Sequence, residues 1–215
     1  MLTLSTWPAG FGPLTDPARV ADRTGGQIAD FLRHDHGWRH HPGDLRLPGD
    51  TELDIALVVE GDLTVDGFLD DDVSRLGMLV VLGDLVVRDL LSSGALYVGG
   101  DLRADGLVYG YYNDFTFEVA GAVHARALIL DDKFSDYRRG TLGVEIDAYE
   151  PTRKQLRAAR DLLVPEVYED GEERARRGRL PTLGRPEYAR VAARLHRGEP
   201  LFRQTDRADA APGHP

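Results

Sequence analysis

Between residues 43 and 147 apolar and polar positions alternate in short runs of a kind that amphipathic helices do not show. Leu63 and Val65 alternate with Thr64 and Asp66, and Leu85 and Val87 alternate with Val86 and Arg88. Successive side chains of a strand point to opposite faces, so the first member of each pattern is predicted to enter a core and the second to face solvent. The runs 57–59, 78–82, 96–98, 115–117 and 127–130 are likewise short, rich in β-branched or aromatic residues, and bounded by Gly, Asp or Asn. Outside this window the pattern turns helical. Asp16 precedes Pro17 as an N-cap, and Val20, Ile28, Phe31 and Leu32 supply an apolar stripe interrupted by Gly25-Gly26, which predicts a broken helix over about 17–33. Further on, Pro151 opens a helical segment carrying Leu156, Leu162 and Leu163, and Pro186 to Leu195 reads as another, closed by Gly198 and Pro200.

A phrase punctuates the alternating region: Gly43-Asp44-Leu45, Gly61-Asp62-Leu63, Gly83-Asp84-Leu85, Gly100-Asp101-Leu102 and the degraded Gly121-Ala122-Val123. Its steps of 18, 22, 17 and 21 residues point to a stacked unit of one supersecondary element. Glycine accepts positive φ at a corner and aspartate bonds nearby backbone amides, so each phrase is read as a corner between two strands. An antiparallel sandwich would not repeat a fixed phrase at every second turn. A leucine-rich repeat would carry an Asn ladder, and the chain has one asparagine, Asn113. The predicted class is therefore mainly β, a parallel β-solenoid of about five irregular rungs of 17–22 residues. Its expected divisions are a lead-in and helical cap over 1–42, the solenoid over 43–149, a helical C-terminal cap over 150–203 and a disordered tail over 204–215. The terminal helices are expected to close the open ends of the stack, as repeat arrays require.

The runs 57–67, 79–89, 97–106 and 117–126, each built around that corner phrase, resemble bacterial proteins labelled polymer-forming cytoskeletal, or bactofilin-like. They are more similar to a divergent branch found beside polymorphic toxin genes and associated with immunity. The resemblance covers about 43–135. It implies a β-solenoid and, for that branch, a toxin as partner. Two departures stand out. Helical segments flank both ends, which argues against end-to-end polymerisation, and Lys133 follows Asp131-Asp132 where the resemblance implies a histidine.

Charge sharpens the functional reading. The net charge is −10, and residues 43–150 hold 22 acidic and 8 basic side chains while 151–215 hold 10 and 14. An acidic body repels phosphates, so nucleic acid is not an expected partner, whereas a basic protein surface is. Without cysteine there are no disulfides or thiolate sites, and neither a leader nor a membrane-spanning run is evident, so a soluble cytoplasmic protein is expected.

The candidate recognition residues sit in two expected loops: Asp70, Asp71 and Asp72 in one, Tyr109, Tyr111, Tyr112, Asn113 and Asp114 in the other. Loops on a rigid scaffold are where recognition chemistry concentrates, and tyrosine offers contact area with a polar handle. His34, His36, His40 and His41, with Asp35, form a dense cluster of metal-ligand types, but Gly37 breaks its spacing and no metal is expected. Catalytic patterns are weak: Ser92-Ser93 lies in an expected turn, and His124 and His196 are isolated. The reading is a non-catalytic solenoid that occludes the basic active site of a toxin, with no cofactor. The alternatives are a self-associating scaffold and a solenoid enzyme with a site around Asp131 and His124.

Overall fold

A computed structural model describes residues 2–3, 10–34, 37–71, 77–112, 114–131, 133–147, 151–168 and 186–204. Strands β1 (Leu2–Thr3) and β2 (Gly12–Pro13) precede helices α1 (Pro17–Thr24) and α2 (Gly26–His34). The chain then winds through coils. The first holds β3 (Arg39–His41), β4 (Leu45–Leu47) and β5 (Thr51–Glu52), and the second β6 (Ala56–Val59) and β7 (Leu63–Asp71). The third holds β8 (Met78–Val81) and β9 (Leu85–Ser92), and the fourth β10 (Leu96–Val98), β11 (Leu102–Ala104) and β12 (Leu107–Tyr111). Single long strands make the fifth, β13 (Thr116–Asp131), and the sixth, β14 (Phe134–Asp147).

Corresponding segments of successive coils pair in parallel, giving three faces. Leu57, Leu79, Leu96 and Phe117 align on the first, Leu45, Leu63, Leu85, Leu102 and Val123 on the second, and Leu69, Leu90, Val108 and Leu128 on the third. These apolar side chains, with Val65 and Val87, make one continuous core. The parallel solenoid is thus as the alternation predicts. Its coil count is about six, one more than the phrases announce, because the last coil has no Gly-Asp corner.

The corner phrase works differently from the sequence expectation. Among Gly43, Gly61, Gly83, Gly100 and Gly121, only Gly43 has a positive φ, +94°. The others are glycine because coils stack too closely for a side chain: a Cβ on Gly61, Gly83 or Gly100 would lie 2.1, 2.2 or 2.0 Å from the Oδ1 of Asp44, Asp62 or Asp84 in the coil before. The aspartates bond the next coil rather than their own turn. Asp62 N donates to Asp44 Oδ1 at 2.9 Å, Asp84 N to Asp62 Oδ1 at 2.8 Å, Asp101 N to Asp84 Oδ1 at 2.8 Å and Ala122 N to Asp101 Oδ1 at 2.9 Å. A carboxylate taking a backbone N–H makes a charge-assisted bond, roughly twice as strong as a neutral one. The ladder stops at Ala122 because its methyl side chain offers no acceptor to a further coil. Val119 pairs with Tyr137 and Ala122 with Arg138, so the sixth coil also lacks the two residues that make the corner.

The N-terminal helices are broken where predicted, between Thr24 and Gly26, but they do not close the end of the stack. Val20, Ala21, Ile28, Ala29 and Leu32, with Trp38, pack on the outward side chains of the first face: Ala56, Val58, Met78, Val80, Ala95 and Tyr97. This follows from composition. Leu57-Val58-Val59 and Leu79-Val80-Val81 are apolar on both sides, and such strands need a cover on each. Each buried Val, Leu or Ile contributes about 1.5–3 kcal/mol. Two short strands instead shield the leading edge, β2 pairing antiparallel with β3 and β1 in parallel with β5.

The chain divides into two compact units, Met1–Pro151 and Thr152–Pro215, so the N-terminal helices belong to the solenoid unit. In the second unit α3 (Arg153–Leu162) begins with a capping box: Gln155 N donates to Thr152 Oγ1 at 3.2 Å and Thr152 N to Gln155 Oε1 at 2.8 Å. A 3₁₀ turn (Pro165–Val167) and α4 (Tyr188–His196) follow. Buried Tyr168 lies under the Arg160 guanidinium, 5.1 Å from ring centroid to carbon. Of the tail expected over 204–215, residues 205–215 lie outside the described residues.

Candidate functional site

The eight candidate residues separate into two environments. Asp70 and Asp71 do not form an exposed acidic loop: they end β7 and are 5% and 0% exposed. Tyr109, in β12, is also 0% exposed. These three are therefore corrections to the expected interface. Tyr111, Tyr112 and Asp114 are exposed as expected, and Asp72 and Asn113 lie outside the described residues.

The buried group is a polar joint between coils. Asp71 accepts from Ser92 Oγ at 2.8 Å and from Gly94 N at 2.9 Å, while Lys133 Nζ donates to Gly94 O and Tyr109 Oη donates to Asp131 Oδ2 at 3.1 Å. The close approach that makes this possible excludes a side chain at Gly94, whose Cβ would lie 1.8 Å from Gly77 O. Burial pushes the Asp71 carboxyl up to about 7, opposed by the Lys133 charge and the two hydrogen bonds. The same burial pushes the Lys133 ammonium down to about 8. With Asp71 and Ser92 both 0% exposed, the hydroxyl and carboxylate are sealed against each other and act as a fastening.

The expected grouping of Asp131 with His124 is not formed. Asp131 is buried at the end of the third face, whereas His124 lies on the second, its Nδ1 accepting from Thr141 N at 3.1 Å. The described histidines of the 34–41 cluster also diverge: His34 Nδ1 contacts Asp30 O at 2.9 Å, His40 Nε2 contacts Glu60 Oε1 at 2.7 Å and His41 Nδ1 contacts Gly43 O at 3.3 Å. Among the described residues no three His, Asp or Glu converge as metal ligands.

The exposed group is the better candidate. From Tyr111 to Phe115 the chain leaves β12 and enters β13, and four rings stand in file: Phe31, Phe115, Tyr112 and Tyr111, with successive centroids 5.7, 6.0 and 6.4 Å apart. Phe31 and Phe115 are half-buried against the helix-covered face, while Tyr111 and Tyr112 are each 38% exposed. Tyr112 has φ +81°, the sole positive φ of a non-glycine among the described residues. For a bulky side chain this conformation costs about 1–3 kcal/mol and persists only where surroundings impose it. Those surroundings include α2: Gln27 Nε2 donates to Asp114 O at 2.9 Å and Gln27 Oε1 accepts from Thr116 N at 3.0 Å. Within the loop, the neighbouring Asp114 carboxylate holds the Tyr112 phenol above its usual pKa.

Gln27 and Phe31 are thus functional candidates that sequence reasoning missed. Phe31 read as part of the helix stripe and Gln27 carried no signal, and nothing local marks their approach to a loop more than 80 residues away.

Among the described residues no helix is long and apolar enough to cross a membrane. No family model matches the chain, and no solved structure matches it. Over 78 residues, 35% of the chain, it is 33% identical to the uncharacterized protein YdbD of Escherichia coli (strain K12). The match spans 10% of YdbD, so the chain covers a small part of that relative.

Proposed function

We propose that the protein is a non-catalytic binding solenoid, whose recognition element is the loop carrying Tyr111, Tyr112 and Asp114. The observation that carries this reading is Tyr112, held at φ +81° with its ring exposed. The fold bears the cost of a strained tyrosine and still leaves 38% of it in solvent, where a partner meets a pre-ordered aromatic anchor. The acidic balance of residues 43–150 favours a basic protein surface as that partner. More narrowly, the partner is a bacterial toxin domain, and the rigid solenoid neutralises it by covering its active site, in cytoplasm.

The test is photocrosslinking from position 112, with p-benzoylphenylalanine replacing Tyr112, followed by mass spectrometry of the captured protein. The expected product is a single basic domain whose toxicity on expression is relieved by the wild-type chain and not by Tyr112→Ala. Relief by both forms equally would refute the loop as recognition element.

One observation favours a second reading, a self-associating scaffold. Among the described residues β14 pairs with β13 alone, and an open parallel edge is what stacking of copies would use. Filaments of the intact protein under electron microscopy would select that reading.

A further inference from the structure

The chemistry of the aromatic loop identifies what it takes from a partner. Resting on the binding function assigned above to this loop, we propose that Tyr111, Tyr112 and Asp114 form a subsite for one guanidinium group, an arginine side chain on the surface of a protein partner.

Three properties of the loop converge on this ligand. The first is the arrangement of rings. Tyr111 and Tyr112 meet at 46° with centroids 6.4 Å apart, so their faces are not stacked on each other and each keeps 38% of its residue surface in solvent. An aromatic face carries negative quadrupole charge and attracts a cation within about 6 Å of its centroid, and a planar guanidinium also stacks on it. The second is the carboxylate. Asp114 is exposed in the same loop, two residues after Tyr112, and its carboxylate acts on the Tyr112 phenol, which sets an anionic acceptor beside that ring. A carboxylate beside an aromatic face matches the two needs of arginine, a flat surface and an acceptor for its N–H fork. The third is rigidity. The Gln27 side chain clasps the loop at Asp114 O and Thr116 N, and Phe115 and Phe31 back the Tyr112 ring from the helix side. A cation therefore finds the subsite already ordered, and little is lost in ordering it on binding.

A neutral apolar ligand is not what this site fits. The apolar members of the file, Phe115 and Phe31, are half-buried behind the tyrosines, and the exposed end is phenol and carboxylate. A phosphate-bearing ligand meets an acidic solenoid body. Lysine would satisfy the charge but not the stacking, which is why arginine is the predicted preference.

The experiment titrates the full-length protein with N-acetyl-arginine methylamide and, in parallel, with its neutral isostere N-acetyl-citrulline methylamide, following backbone amides by nitrogen-15 NMR. Shifts confined to residues 110–116 and α2, with citrulline at least threefold weaker, are expected. Tyr112→Leu should weaken the arginine response at least threefold, whereas Tyr112→Phe, which keeps the ring, should stay within twofold. The amide spectrum outside the loop reports whether each variant is folded. Equal response to citrulline, shifts spread over distant carboxylates such as Asp66 and Asp105, or an unchanged response in Tyr112→Leu would each overturn the proposal. A partner that crosslinks at position 112 but binds equally well after its arginines are neutralised would overturn the guanidinium subsite alone. Loop-confined arginine binding without any captured partner would uphold the subsite and sink the wider function.

Discussion

Gly100→Ala tests the interlocking of corner and coil directly. A methyl at Gly100 would lie 2.0 Å from Asp84 Oδ1, 2.9 Å from Gly83 C and 3.0 Å from Asp84 N. The backbone contacts require a shift of a few tenths of an ångström, while the contact with Oδ1 is impossible without moving the carboxylate. That carboxylate cannot move freely, because its Oδ1 accepts Asp101 N at 2.8 Å. The substitution therefore incurs overpacking of about 1–3 kcal/mol and also forfeits a charge-assisted bond of about 1.5–3 kcal/mol. The expected total is about 3–5 kcal/mol. Asp84→Ala alone forfeits only the bond, at about 1.5–3 kcal/mol.

The double variant separates this account from generic damage. With the carboxylate gone, the methyl has lost its worst neighbour and no bond remains to be broken. Gly100→Ala in the Asp84→Ala background should then cost at least about 1 kcal/mol less than in wild type, a coupling expected of residues in contact. Urea denaturation monitored at buried Trp38, compared at constant m-value, supplies the four free energies. Gly12→Ala is the control, since a Cβ there meets nothing within 4 Å, and it should stay within about 0.5 kcal/mol of wild type. Additivity of the two corner substitutions within about 0.5 kcal/mol would refute the interlock.

Three further outcomes follow from named groups. The amide of Ala122, ahead of the Arg103 charge, holds Asp101 below the usual carboxylate range, so its stabilisation is present above that range and lost as the pH falls below about 4; Asp101→Asn should flatten thermal stability between pH 3 and 5. Because Asp71 binds its proton more tightly folded than unfolded, stability declines as the pH rises from about 4 toward 7, and the Lys133 charge limits how far that decline runs; Lys133→Met should extend the decline above pH 7, and an unchanged melting profile over pH 6–8 would contradict the assigned coupling. Gln27→Ala leaves Thr116 N and Asp114 O without their clasp, and hydrogen exchange at Thr116 should quicken by roughly tenfold while exchange in β6 and β8 is unaltered.

The sequence carried the scaffold because the scaffold is written in short-range order. Alternation at Leu63-Thr64-Val65 identifies a face open to solvent on one side, and the uninterrupted Leu57-Val58-Val59 identifies a face covered on both. The second of these already implies that something apolar must lie outside the first face, yet alternation alone sets the broken helix over about 17–33 at the end of the stack. The recognition residues fared less well, since burial in a solenoid is decided by coils that are remote in sequence. Asp70-Asp71 reads as an acidic turn when only its neighbours are considered. What buries it is Ser92, Gly94 and Lys133, between 21 and 62 residues further on. The same distance effect works in the opposite direction at Tyr112. Its neighbours in sequence make an aromatic run, but the loop that carries its positive φ is clasped at Asp114 and Thr116 by Gln27 and met at Phe115 by Phe31, from a helix before the first coil. The repeat therefore fixes the shape of each coil locally, while the identity of the residues left facing a partner depends on which distant segments the stack brings over each corner.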